Sequence, residues 1–401
     1  MILYTLYCRV YQRILKIASY VLPWREPTIL EGENSLRNLP KLIKAQRIES
    51  VLIVTDKGIV DVGLMDDFLK RLHDEGIEAV IYDETVPNPT IENIEAAARL
   101  YHENNCQGMV AFGGGSPIDC AKIAGARIVK PKKSVHNMRG LFKVLKKLPP
   151  LFVVPTTAGT GAEATLAAVF SNSKTNEKYP VMDTSLIPEY AVLDPMLTVN
   201  LPPHITAATG MDALTHAVEA YIGKGSTKNT KQWSLDATQL VFENIYEAYT
   251  NGENITARRN MQKAAYLGGK SFTRAYVGYV HAIAHTLGGF YNIPHGLANA
   301  IILPHVLEYY GESVHTRLAE LADLVGVSKT TDTNKQKAEK FIQAIRSLNE
   351  RMEIPQKVAG ISDRDIPIMV ERALKEGNPL YPVPKILVKE DISHLYHIIK
   401  A

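Results

Sequence analysis

Asp212 and His216 in MDALTHAVEAY stand four apart, so on a helix they project from one face a turn from each other. Such a pair is a two-pronged claw for a divalent cation. VHAIAHTLGG repeats the spacing with His281 and His285, and NIPHGLANA adds His295 between a proline and a glycine, in a turn able to return the chain toward the preceding helix. The chain holds 12 histidines, yet His281, His285, His295 and His305 crowd into one short stretch, a density that scatter does not produce. Imidazole and carboxylate without thiolate suit Fe2+, Zn2+, Ni2+ or Mn2+. One Asp with three His would supply four protein ligands, and an open position must then come from expansion to five, which iron tolerates more readily than a closed zinc site. His285 is open to a second role as proton carrier, because its ordinary pKa near ~6.5 lies in the useful range. His305, in the apolar ILPHVLEYY, reads as structural.

A second chemistry sits upstream. GGGSPIDC follows an apolar run and opens a helical one, so Gly113, Gly114 and Gly115 would let backbone N–H groups approach a pyrophosphate at a helix N-terminus. It is neither GxGxxG, since Ile118 takes the third glycine position, nor a P-loop, since GK[ST] is missing. Asp56 closes the strand-like VLIVTD, where an acid can accept both ribose hydroxyls of an adenosine and repel a 2′-phosphate; helix capping in TDKG is its competing role. PTTAGTGAEAT adds the hydroxyls of Thr156, Thr157 and Thr160 beside another flexible turn.

The elements that must hold these groups follow from periodicity. SVLIVTD, AVIYD, GMVAF and PLFVVPTT read as strands, and they alternate with helical runs at 61–76, IENIEAAARLYHE and PIDCAKIAGARIV. That order implies a parallel sheet covered by helices, which binds ligands at the carboxyl ends of its strands. Beyond LPPHITAATG the segments are long and periodic at about 3.6, without a convincing strand. We therefore expect an α/β domain over 24–199 and an all-helical, metal-binding domain over 200–401. Residues 1–23 form an amphipathic extension: Thr5, Arg9, Gln12, Arg13 and Lys16 gather on one side, with Leu3, Leu6, Tyr7, Val10, Ile14, Ile17, Val21 and Leu22 largely on the other. Docking on the protein body or on a second subunit is the first reading of this helix, and contact with a membrane surface the second.

Composition fits a folded, two-domain body. The 401 residues are 46% hydrophobic and 22% charged, and the net charge of +3, with both signs interspersed, argues against nucleic acid as a partner. Cys8, Cys106 and Cys120 show no CxxC spacing, which fits a reducing, cytoplasmic setting.

GGGSPIDCAK, PTTAGTGAEAT, GMDALTHAVEAY and GYVHAIAHTLGGFYNIPHGLANAIILPH, in that order, resemble the iron-containing (group III) alcohol dehydrogenase family over about residues 25–401. The resemblance implies a Rossmann-like parallel-sheet domain, an all-α C-terminal domain, and a metal in the cleft between them. It implies Asp212, His216, His281 and His295 as metal ligands, with Fe2+ placed ahead of Zn2+. It also puts NAD on Asp56, Asn88, Gly114, Gly115, Ser116, Asp119, Thr156, Thr157, Thr160 and Lys178, and proton transfer on His285. The implied activity is hydride transfer between NAD(H) and a primary alcohol or aldehyde. Phe272, read as lying on the same helical stretch as His281, and Ala167 are the expected substrate-side residues, and a homodimer the expected assembly. Two alternatives stand beside this: a metal- and NAD-dependent lyase or cyclase resembling dehydroquinate synthase, and a non-catalytic NAD- and metal-binding assembly protein. The first would need basic residues around the metal, and the segments flanking Asp212, His281 and His295 are almost free of them.

Overall fold

The structure is a computed structural model that describes residues 2–22, 24–173, 175 and 177–401; Met1 and Pro23, the ends of the expected extension, lie outside them. The chain divides into two compact units. One comprises Pro23–Leu201 with Glu253–Gln262, the other Met1–Leu22, Pro202–Gly252 and Lys263–Ala401. Glu253–Gln262, assigned from sequence to the helical half, belongs with the first unit. There Arg258 Nη2 donates to the carbonyls of Val199 and Leu201, and Gln262 Nε2 to that of Asp194.

Among its described residues the first unit has nine strands: β1 (Thr28–Glu31), β2 (Ser50–Val54), β3 (Glu78–Tyr82), β4 (Gly108–Gly113), β5 (Gly140–Leu141), β6 (Leu151–Pro155), β7 (Ala167–Asn172), β8 (Glu177–Met182) and β9 (Tyr190–Leu193). Six pair in the order β1-β9-β6-β4-β2-β3, every pair parallel. Parallel strands buried on both faces need apolar side chains on both sides. Leu52, Met109, Ala111 and Val153 accordingly face one core with Ile94, Ala97, Ile118 and Ala121. Their neighbours Val51, Ile53, Val110 and Phe152 face the other, with Leu39, Ile43, Phe68 and Leu72. The run read as one helix over 61–76 is helical only at Asp66–Asp74: the short helix Lys57–Asp61 ends where the run begins, and Gly63 takes a left-handed φ of +65° between the two. The remaining strands form a small sheet, β5-β8-β7, with β7 and β8 antiparallel.

From β2 the chain passes outward to β3 and then returns across β2 to β4, so the order reverses between β2 and β4. Ligands of doubly wound sheets bind at the carboxyl ends of the strands flanking such a reversal. Those two ends lead into Asp56 and into the glycine loop.

The second unit is helical, and among its described residues from Pro202 onward no strand occurs. Its helix Pro203–Ile222 is buried almost all round, as a helix with apolar residues on every face must be. It carries Asp212, His216 and Glu219, which share one side at helical spacing.

Candidate metal centre and dinucleotide site

Asp212 and His216 come from the helix Pro203–Ile222, His281 from Tyr279–Tyr291, and His295 is the first residue of His295–Tyr310. One donor atom from each falls within 4.8 Å of every other. Asp212 Oδ1 lies 4.0 Å from His216 Nε2, 3.9 Å from His281 Nε2 and 3.6 Å from His295 Nε2. Bonds of ~2.1 Å to a tetrahedral ion would set donors ~3.4 Å apart, so the three histidine nitrogens need to approach Asp212 by roughly 0.2–0.6 Å, and the widest pair by up to about 1.4 Å. Asp212, His216 and His281 are buried and His295 is half-buried. Burial raises the pKa of Asp212 above its ordinary value, against the lowering pull of His281, Asn299 and His285. The donor set therefore fits a divalent ion.

The approach of His295 depends on Gly296. A Cβ there would stand 2.3 Å from the carbonyl oxygen of Ala208, so only glycine lets this helix start lie against Pro203–Ile222.

Three residues that the sequence reading did not single out complete the surroundings. Glu219, buried, accepts from His281 Nδ1 at 2.6 Å and from the backbone N–H groups of Gly278 and Val280 at 2.8 and 2.9 Å. This fixes His281 with its Nε2 toward Asp212. The pKa of His281 is raised: burial acts against the charged ring, but Glu219 and then Asp212 outweigh it. Asn299 donates from Nδ2 to Asp212 Oδ1 at 2.7 Å and lies within 3.3 Å of His281 Nε2 and 3.2 Å of His295 Nε2. Glu376 accepts from His285 Nδ1 at 2.7 Å and from the Tyr381 hydroxyl at 2.8 Å. Glu219 and Asn299 stand three and four residues beyond His216 and His295, a spacing that could have flagged them. Glu376 is 91 residues from His285, and no local pattern joins them.

His285 stacks on His295 with ring centroids 5.1 Å apart. His305, farther along the helix of His295, is half-buried, and burial lowers its pKa. Phe272 stacks on His216 at 4.3 Å. The expectation that it shares a helix with His281 fails: Ile255–Ala275 ends before Tyr276, whose φ of 63° breaks the run, and a new helix begins at Tyr279.

In the α/β unit, Gly114 caps the helix Gly115–Val129. The threonine loop packs on it so closely that a Cβ on Gly115 would meet Thr160 Oγ1 at 2.7 Å, while one on Gly114 would meet Thr157 at 3.4 Å. Thr156 is buried, and its N–H donates to the Gly113 carbonyl. Asp56 caps Lys57–Asp61 by accepting from Ile59 N, and burial raises its pKa. It also faces the glycine loop, 3.5 Å from where a Gly113 Cβ would be. Asn88 donates from its backbone N–H to Ser116 Oγ and accepts from Lys178 Nζ. Asp119 accepts from Val169 N at 3.0 Å, and burial pushes its carboxyl up to about 6. Ala167 opens β7, and its carbonyl accepts from Lys122 Nζ.

A doubly wound sheet with glycine and threonine loops at its strand ends, and a helical unit holding an Asp/His3 cluster that could hold a metal, are the parts that metal- and nucleotide-using oxidoreductases need. The chain belongs to the iron-containing alcohol dehydrogenase family: the model of that name matches residues 27–195, and the family's C-terminal model matches residues 206–399. It is 38% identical to the 1,3-propanediol dehydrogenase of Citrobacter freundii, over 86% of this chain and 90% of that protein. Among solved structures, an alcohol dehydrogenase from Oenococcus oeni superposes with a TM-score of 0.90 at 34% identity, covering 94% of this chain and all (100%) of that one. A sulfoacetaldehyde reductase from Bifidobacterium kashiwanohense, solved in complex with NAD+, superposes with a TM-score of 0.81 at 28% identity, covering 94% and 98%. The chain is an alcohol–aldehyde oxidoreductase, and the lyase or cyclase alternative gains no support.

Proposed function

We propose that the chain interconverts small primary alcohols and aldehydes with NAD(H), and that Asp212, His216, His281 and His295 hold its divalent ion, Fe2+ ahead of Zn2+. The convergence of these four donor atoms within 4.8 Å supports the reading above any other observation. A divalent ion held there would supply Lewis-acid charge for a substrate oxygen, and a bound NAD(H) would supply the hydride chemistry.

The chain's own residues do the remainder. Glu219 holds the His281 ring so that Nε2 is kept for the ion. Glu376 occupies His285 Nδ1–H, which leaves Nε2 as the atom that takes up the alcohol proton or returns it. Phe272, flat against His216, screens that face from water and gives the substrate side an apolar wall; we assign Ala167 the same role. Gly114, Gly115 and Ser116 offer helix-start N–H groups to the pyrophosphate. Thr156, Thr157 and Thr160 line the loop beside them, while Asn88 and Lys178 form a bonded pair at Ser116. Asp119 acts from behind, fixing β7. Asp56 meets the ribose hydroxyls, which favours NAD over NADP. Three free, buried cysteines fit a reducing cytoplasm, and we assign a homodimer as the assembly.

The test is turnover of a panel of short aldehydes with NADH and with NADPH. Activity should vanish on chelation, return with Fe2+, and be lost in His281→Ala. Turnover that survives both chelation and this substitution would overturn the ligand set, and equal rates with NADPH would remove the role given to Asp56.

A further inference from the structure

The N-terminal helix Ile2–Ser19 is mounted with its polar face inward. Arg9 donates to the carbonyls of Val383 at 2.6 Å and Pro384 at 2.9 Å, and Gln12 to those of Tyr381 at 2.7 Å and Pro379 at 3.2 Å. Lys16 donates to the carbonyls of Ser226 at 3.0 Å and Lys224 at 3.1 Å. Cys8 and Gln12 are buried. The apolar side looks outward: Leu3, Leu6, Val10, Ile14, Ile17 and Val21 are exposed, from 48% at Val10 to 84% at Val21. Amphipathic helices ordinarily turn that stripe to the core. Here side chains anchored to backbone carbonyls hold it away, and a continuous exposed apolar strip marks a surface that something covers.

Size and charge select the occupant. At 18 residues the helix is about 27 Å long and presents roughly 10 Å of width, a strip on the order of 300 Å². Stable protein–protein interfaces bury about 800 Å² per partner, so the strip is too small to hold a second copy by itself. A bilayer sets no such threshold, because interfacial binding grows with apolar area and with attraction to anionic lipid. The chain from Ile2 to Arg25 contains no Asp or Glu, and of its basic residues Arg9, Lys16 and Arg25 are turned to backbone carbonyls, which leaves Arg13 to face solvent. Arg13 is exposed beside the strip, and so is Lys224, whose carbonyl Lys16 meets. Glu320, which acts on Lys231 alongside Lys16, is paired with Arg317. Tyr4, Tyr7 and Tyr20 are exposed as well, a residue type enriched where bilayers meet water. No described helix is long and apolar enough to cross a membrane. The family models begin only at residue 27, so nothing about this helix is carried by family membership.

We propose that this helix lays the protein on an anionic phospholipid surface, apolar strip down, with its basic flank on the headgroups. The full-length protein is floated with vesicles of phosphatidylcholine alone and with an equal mixture of phosphatidylcholine and phosphatidylglycerol. It should rise with the mixed vesicles, much less with the neutral ones, and less again as salt is added. Val10→Asp combined with Ile14→Asp should cut the floated fraction about tenfold while NADH-dependent turnover in solution is kept, since both side chains face outward. The proposal fails if the wild type stays at the bottom of the gradient with both vesicles, or if the double variant floats equally well. It also fails if the variant's only change is a smaller species by light scattering, because the strip would then join two copies of the chain.

Discussion

Glu219 illustrates how a residue with no role in binding can decide whether a ligand binds. Its oxygens are met by three N–H donors, those of His281 Nδ1, Gly278 and Val280, in a buried setting. Glutamine would keep the volume but must turn an amide NH2 toward one of those donors, leaving a buried group unsatisfied. Glu219→Gln should therefore weaken metal binding about 10–100-fold, the usual effect of losing the group that orients a ligating histidine. Titration of metal-stripped protein with Fe2+ or Co2+ reads this directly, and an unchanged dissociation constant would mean that His281 is oriented without help. The four proposed ligands were legible because each sits in a short motif at helical or turn spacing. Glu219 and Asn299 were legible in principle, lying three and four residues beyond His216 and His295. Glu376 was not: its partnership with His285 exists only because Ile366–Gly377 folds back against Tyr279–Tyr291.

At the scale of elements, the starts and breaks of helices place the chemistry. Asn292 turns left-handed with φ 54°, Pro294 sets the cap, and His295 opens a helix whose second residue must be glycine. Gly296→Ala would drive a methyl group against the Ala208 backbone, which cannot swing aside as a side chain could. The helix start has to move, taking His295 with it. The expected cost is ~1–3 kcal/mol of stability, typical of overpacking, together with a loss of bound metal. Chemical unfolding and metal analysis on one preparation test both halves, and a variant that unfolds like wild type with full metal content would refute the close-packing argument. The same scale shows where periodicity misleads. Residues 61–76 and the stretch joining Phe272 to His281 each keep a helical hydrophobic pattern through a break, because pattern reports which face is apolar but not whether one residue has turned left-handed. The N-terminal helix shows the converse limit: its two faces were plain in the sequence, but which one meets the protein depends on the carbonyls of Val383, Tyr381 and Lys224, remote in the chain.

For the whole molecule, the alternation of strands and helices revealed the parallel sheet, and the change to long periodic runs near residue 200 revealed the helical half. β1 and β9 escaped because edge and return strands of four residues carry too little pattern, and β7 and β8 because their alternation is interrupted by Pro180 and polar residues. What no local pattern could reveal is the buried charge that the α/β unit encloses. Lys122 and Glu163 are buried, with Asp119 half-buried beside them, and Lys122 Nζ donates to the carbonyls of Ala162, Thr165 and Ala167 and to the Thr165 hydroxyl. Burial pulls Lys122 down to about 8 against the opposing pull of Asp119 and Glu163, and it pushes Glu163 up to about 7 from an ordinary 4.5. The folded protein thus keeps the Glu163 proton over a range where the unfolded chain has released it. Stability from this group is complete below pH 4.5 and is lost as the pH climbs through about 7. At ~1.4 kcal/mol per pKa unit the loss is up to ~3 kcal/mol. Glu163→Gln does not titrate. Its stability relative to wild type should therefore rise by up to that amount between about pH 4.5 and about pH 8, whatever its baseline offset. Urea unfolding of both proteins at the two pH values gives the double difference. A difference independent of pH would mean that Glu163 ionises in place, with Lys122 carrying enough charge to hold it.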